Sequence, residues 1–152
     1  MAAFSCNDWQ IFFYPLFNEQ WVELCNRVRV LKNELPKEEF IIHSDVKLLK
    51  VLNISIIEKI PQDPFASHFA LQKPLQKYSR LKKMGLPERY RLFFRAFKKR
   101  KIIIILWLGF PQKEGDKKDC YQVFIKKVEN GDFPESIDNL LVECESEYSN
   151  NE

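Results

Sequence analysis

Ile102-Ile103-Ile104-Ile105-Leu106-Trp107-Leu108 is the run on which the fold turns. Seven consecutive apolar residues rich in β-branched side chains leave neither strand face polar, which is the pattern of a central strand covered on both sides. Extended to Phe110 it is still only half of the roughly 18 residues a membrane-spanning helix needs. Outward from it, Tyr90 to Phe97 and Leu75 to Lys82 are amphipathic and read as two further strands, with Lys101 to Leu108 as the third. Gly85-Leu86-Pro87 and the charged turn at Lys98 to Arg100 separate them. Farther out, Trp9 to Tyr14 predicts a short strand stopped by Pro15, with Asn18 as N-cap of a helix. In that helix Trp21, Leu24, Cys25, Val28 and Leu31 recur at core spacing up to Pro36. Ser44 or Asp45 would cap a second helix, with Val46, Leu49, Leu52 and Ile56 on one face, broken by Ile60-Pro61-Gln62-Asp63-Pro64. Beyond the strands, Asp119 to Glu129 predicts a helix stopped by Gly131, and Glu135 to about Cys144 a last one. Helices, then strands, then helices give an α+β class.

The 152 residues suit one domain, and 45% hydrophobic content with 14% aromatics is enough for a real core. Four glycines argue against a glycine-rich phosphate loop. Residues 1–10 carry no leader-like basic and apolar pattern, and Cys6, Cys25, Cys120 and Cys144 form no C-x-x-C pair, so a reduced, cytoplasmic setting is expected. The net charge of +3 conceals a strong polarity: from Lys73 to Lys101 twelve Lys and Arg face Glu88 alone, whereas Glu129 to Glu152 holds eight acids and no cation. Such a basic stretch suits a polyanion.

Side chains alternate along strands, so Tyr78, Arg80 and Lys82 should share one face, as should Arg91, Phe93 and Arg95. If the strands pair with matching faces, four cations and a phenol converge. Cations interleaved with rings suit RNA, because phosphates take the charge while unstacked bases lie on rings or guanidinium planes. The competing reading is a solvated edge kept soluble by Lys and Arg. RNA can be cut by its own 2′-hydroxyl, which requires help in deprotonation, charge stabilisation at the phosphorane and a proton for the departing 5′-oxygen. Arginine suits the second task, and a Lys or Tyr whose pKa is lowered by cations suits the others. Other chemistries fare worse. His43 and His68 lie outside the basic strands, the Cys and His spacings do not suit zinc, and Asp63, Asp116, Asp119 and Asp132 form no dense carboxylate set.

The order of motifs resembles the YhaV toxins of the RelE superfamily. The opening Trp9-Gln10-Ile11-Phe12-Phe13-Tyr14-Pro15-Leu16-Phe17 is followed by Lys47-Leu48-Leu49, Ile60-Pro61 with Asp63-Pro64, and Tyr78-Ser79-Arg80-Leu81-Lys82. The most specific string is Arg89-Tyr90-Arg91-Leu92-Phe93-Phe94-Arg95. Lys117-Lys118-Asp119-Cys120-Tyr121-Gln122-Val123-Phe124 and Asn130-Gly131-Asp132-Phe133-Pro134 complete the order. The resemblance implies a single RelE-like domain over residues 1–145 and a mainly antiparallel sheet packed against helices, while the polar end from Glu145 predicts a flexible acidic tail over 146–152. It also implies the toxin of a type II toxin–antitoxin pair: an mRNA endoribonuclease acting with the ribosome, without metal or other cofactor, away from membranes, and held by a cognate antitoxin. Its basic pair would fall on Arg80 and Lys82, its central arginine on Arg91, a further phosphate contact on Arg95, and its helix tyrosine on Tyr121. Tyr78, Lys83, Arg89, Phe93, Lys117 and Lys118 complete the expected RNA contacts. One departure stands out: Leu108 to Gly115 is shorter than the family's segment and lacks its Leu-Arg-x-Tyr-Gly arginine. That keeps an alternative open, an RNA-binding RelE-like protein with weak or lost cleavage.

Overall fold

The apolar run forms β5 (Ile102–Gly109), the middle strand of a five-stranded sheet, and Ile102 through Leu106 are all buried. The computed structural model describes residues 4–111 and 119–150, the last six by backbone alone. On one side of β5 lie β2 (Trp9–Phe13) and then β1 (Phe4–Cys6), an edge strand the sequence pattern did not suggest. On the other side lie β4 (Arg91–Phe97) and then β3 (Ser79–Lys82). Only the β2–β5 pair is parallel, Gln10 standing opposite Ile102 and Phe13 opposite Ile105; the other three pairs are antiparallel. The class is α+β with a mainly antiparallel sheet, as expected.

Both faces of β5 are covered, which is why it tolerates no polar residue. One face sends Ile103, Ile105 and Leu108 to Phe17 and Leu24 of α1 (Pro15–Glu34) and to Leu52 of α3 (Ser44–Ile54), with the short α2 (Lys37–Phe40) between the two helices in the chain. The other sends Ile102, Ile104 and Leu106 into a cluster with Phe124 of α5 (Cys120–Glu129) and Leu140 and Cys144 of α6 (Ile137–Asn150). Each fully buried Ile or Phe contributes about 1.5–3 kcal/mol of transfer free energy. A bulge adjusts the facing: Phe93 pairs with Trp107 but Phe94 with Ile105, so Leu106 is the extra residue and lies on the same side as Trp107.

Several boundaries differ from expectation, each for a local reason. Pro15 does not merely end β2; it opens α1 at a position where its missing N–H is harmless, so Asn18 lies inside the helix, buried, rather than capping it. The cap of α3 is His43, whose Nδ1 accepts the Asp45 N–H at 3.1 Å, and not Ser44 or Asp45. The helix also survives beyond Ile60. A π turn over Ser55–Lys59, closed by the Ile60 N–H on the Ser55 carbonyl, leads into α4 (Ile60–Gln62) with Pro61 in its first turn. The wider turn absorbs a ring that would clash in an unbroken α ladder, and the chain leaves the helix only at Asp63. Leu75 to Tyr78 is not strand: the Leu75 and Tyr78 N–H groups close successive turns on Gln72 and Leu75 at 2.9 Å, which delays β3 to Ser79. The last helix runs past the expected Cys144 to Asn150. No helix among the described residues is long and apolar enough to cross a membrane.

Candidate active site

Register puts the basic residues of β3 and β4 on one side. Arg80 stands opposite Phe93 and Lys82 opposite Arg91, and directly opposed residues of an antiparallel pair share a face about 4.5–5.5 Å apart. Lys82 against Arg91 is therefore a like-charge cross-strand pair, an arrangement that destabilises a sheet. No ion pair relieves it: among the described residues no carboxylate comes within ion-pair distance of Arg80, Lys82 or Arg91, though Asp119 attracts Arg80 from farther off and the Arg91 guanidinium donates to the Tyr90 carbonyl at 2.8 Å. The strain is legible in the electrostatics. Lys82 is exposed, yet the Arg80 guanidinium above all, then slight burial and Arg91, hold its ammonium below the usual lysine range. Arg80 is pulled down by burial first and by Arg91 second, against the opposing pull of Asp119 and Tyr121, and its Nε is buried without a partner.

The N-terminus of α5 closes the site from above. Asp119 caps the helix, its Oδ1 accepting the Tyr121 N–H at 3.0 Å. Behind it Cys120 is buried, its S–H donating to the Arg89 carbonyl at 3.4 Å, and Gly109 of β5 leaves just enough room for it. One turn on, Phe124 lies parallel to Phe93 at 4.1 Å between centroids, with Tyr78 edge-on at 5.4 Å. These contacts set Asp119 and Tyr121 beside Arg80, and together with Ala70, Leu71 and Gln72 the three line a pocket of about 310 Å³. Ala70 is held there by a bridge to Ser79 at the start of β3. The β3–β4 connection carries left-handed backbone at Lys83, Met84 and Arg89 as well as Gly85, the kind of local strain that collects at functional sites.

The expected constellation is thus split in two. Arg80, Lys82 and Arg91 meet, and Tyr121 joins Arg80. Arg95 shares their face but lies four residues along β4, roughly 13 Å from Arg91 at strand rise. Its guanidinium sits over the Tyr78 and Phe97 rings at 5.6 and 4.6 Å and donates to the Glu135 carbonyl, so it ties the sheet to the connection before α6. Tyr78 and Phe93 are corrections to the expected RNA contacts: both are buried, Tyr78 with its phenol pushed up by burial, and neither ring offers a face to a base. Lys83 and Arg89 flank the site on the strained loop, whereas Lys117 and Lys118 lie outside the described residues. Sequence reasoning missed Asp119 and Gln72 as site residues. The helix-capping position of Asp119 was legible, but its proximity to Arg80 follows from docking α5 on the sheet. Among the described residues no three His, Cys, Asp or Glu are grouped closely enough to hold a metal ion. A second cavity, of about 280 Å³, lies under α1 and α3 on the opposite face, lined by Trp21, Arg27, Asp45 and Phe110 among others.

A family described as a toxin with endonuclease activity, of toxin–antitoxin systems, matches residues 11–145, which contain every strand and helix named at the site. The chain is 33% identical over 150 residues to Toxin YhaV of Escherichia coli O6:H1, covering 93% of this chain and 96% of that protein. The same identity and coverage hold for Ribonuclease toxin YhaV of Escherichia coli K12. No solved structure gives a significant match. A match across nearly the whole chain makes this protein a member of the YhaV toxin family, the endonuclease toxins of toxin–antitoxin systems.

Proposed function

We propose that the chain is a cytoplasmic endoribonuclease that cuts translated mRNA in association with the ribosome, and that a cognate antitoxin silences it by laying acidic side chains over the cationic cleft. The observation that carries this reading is the Lys82–Arg91 cross-strand pair with Arg80 beside it, a repulsion that a phosphodiester relieves. The 2′-hydroxyl adjacent to the scissile phosphate attacks phosphorus. Its proton passes to Lys82, whose lowered affinity for a proton makes the neutral amine more accessible at neutral pH. Arg80 and Arg91 take the charge that builds on the phosphorane oxygens, a task for which a fixed guanidinium is better suited than an ammonium. The bond to the 5′-oxygen breaks, that oxygen takes a proton from solvent, and the products carry a 2′,3′-cyclic phosphate and a 5′-hydroxyl. Tyr121 supplies a ring for the base beside the cut.

Toeprinting on translating ribosomes with the wild-type chain and Arg91→Ala tests this. Wild type should leave discrete cuts with cyclic-phosphate ends, and Arg91→Ala should slow them about 10²–10³-fold, the loss typical of one oxyanion donor. Cutting at an undiminished rate by folded Arg91→Ala removes Arg91 from the site. Binding of RNA without cuts by wild type leaves the non-cleaving reading.

A further inference from the structure

The pocket beside Arg80 has a chemistry of its own. It opens next to the proposed phosphate-binding cations but is lined at its polar end by Asp119 and Gln72, with Tyr121 and the buried Leu71 as its ring and apolar walls. At about 310 Å³ it lies at the small end of the roughly 300–1,000 Å³ range of small-molecule sites, a size suited to one nucleobase and not to a folded partner. A carboxylate in an RNA-binding cleft is costly unless it does something for the ligand, because it repels phosphate. Asp119 is exposed, and one of its oxygens is already fixed by the Tyr121 N–H at 3.0 Å. This holds the carboxylate in place while leaving lone pairs on both oxygens.

We propose that this pocket is a base-reading subsite in which Asp119 selects guanine next to the scissile phosphate. An ionised carboxylate only accepts hydrogen bonds. Guanine alone among the four bases offers two adjacent donors on its Watson–Crick edge, N1–H and N2–H, which match the two carboxylate oxygens. Cytosine and adenine each place a ring-nitrogen acceptor beside their amino group, and uracil flanks its single N–H with two carbonyls, so each sets a lone pair against the carboxylate. Tyr121 stacks on the base, and the Gln72 amide can meet O6 with a donor. Arg80, on the other wall, keeps the neighbouring phosphate close enough for the base to turn into the pocket. The inference rests on the endoribonuclease reading, since it assumes that single-stranded RNA occupies the cleft.

Asp119→Asn is the informative substitution, because asparagine caps a helix as well as aspartate and leaves α5 in place. It replaces one acceptor by a donor that clashes with the guanine edge. The experiment measures binding of short 2′-O-methyl, hence uncleavable, oligouridylates carrying one central G, A, C or U, by fluorescence anisotropy, for wild type, Asp119→Asn and Arg91→Ala. Wild type should favour the G-containing strand over the all-U strand by on the order of tenfold, as a bidentate base contact does. Asp119→Asn should abolish that preference while binding the all-U strand at least as tightly as wild type, having lost a negative charge. Equal affinity of wild type for all four strands, or a guanine preference that survives Asp119→Asn, overturns the subsite and leaves the nuclease reading standing. Failure of wild type to bind any strand, with Arg91→Ala indistinguishable from it, overturns both.

Discussion

Replacing Gly109 by alanine separates the cationic sheet from the helix that roofs it. Gly109 ends β5, pairs with Arg91 across the ladder, and lies directly beneath the first residue of α5. A Cβ at this position would sit 2.9 Å from the Cys120 Cβ, 3.0 Å from its Sγ and 3.0 Å from Cη2 of Trp107. Carbon atoms in contact lie about 3.5–4.0 Å apart, so the helix start must retreat by roughly 0.5–1 Å. Neither obstacle is the loose end of a flexible chain: the Cys120 Cβ is fixed to the helix backbone, and Trp107 is stacked against Phe93. The retreat stretches the Cys120 S–H bond to the Arg89 carbonyl and tilts α5 about Phe124, which the aromatic stack holds. Overpacking of this kind costs about 1–3 kcal/mol. At about 2–4 °C per kcal/mol for a chain of this size, the melting temperature should fall by several degrees. The functional loss should be larger. Asp119 and Tyr121 ride on the displaced turn, and a misplacement near 1 Å costs about 10²-fold in rate. Arg80, Lys82 and Arg91 stay on the sheet, so affinity for an all-uridine strand and its salt dependence should change far less than the cleavage rate. The assay is cleavage rate against anisotropy-measured affinity over a salt series, with thermal melting followed by circular dichroism. A folded Gly109→Ala protein that cleaves within twofold of wild type would refute the claim that the start of α5 completes the site.

Two further outcomes test the packing and the electrostatics. Phe124→Ala removes a fully buried ring stacked on Phe93 and tilted against Phe133, and should cost about 3–5 kcal/mol in urea unfolding; a loss below about 1 kcal/mol would mean the stack does not hold α5. The Tyr14 hydroxyl meets the Asp132 carbonyl at 2.7 Å and the Glu143 carboxylate, and burial first, then Glu143, pushes its pKa well above the ordinary phenol value. The native state therefore keeps this proton at pH values where the unfolded chain, with a phenol pKa near about 10, has released it. The contribution is full below about pH 10 and lost as pH rises toward the folded value. Tyr14→Phe should be less stable at pH 7 by about 1 kcal/mol but decline less steeply above about pH 10; parallel alkaline limbs for the two proteins would contradict this.

Much of the sheet was readable locally. Four isoleucines in a row demand cover on both faces wherever the strand is placed, and strand alternation alone predicts that Arg80 shares a face with Lys82. The helix limits were less readable, because proline is ambiguous out of context. Pro15 begins a helix where it was expected only to stop a strand, and Pro61 is carried by a π turn that no local pattern announces. Alternation likewise grouped Arg95 with the site residues correctly by face but not by place, since a strand face is some 20 Å long for seven residues, and it took as strand Tyr78, which closes a turn and is buried. Which residues carry charge, which alternate, and how cations concentrate in the middle of the chain all follow from residue order alone. Three-dimensional packing sets the rest: β3 pairs with β4 in the register that places Lys82 against Arg91, an extra Leu106 rotates Trp107 toward α5, and Asp119 and Tyr121 arrive beside Arg80. The last of these joins residues some forty positions apart, and it is selected by the burial of Phe93, Phe124 and Cys120 as one packed unit, which no window along the chain contains.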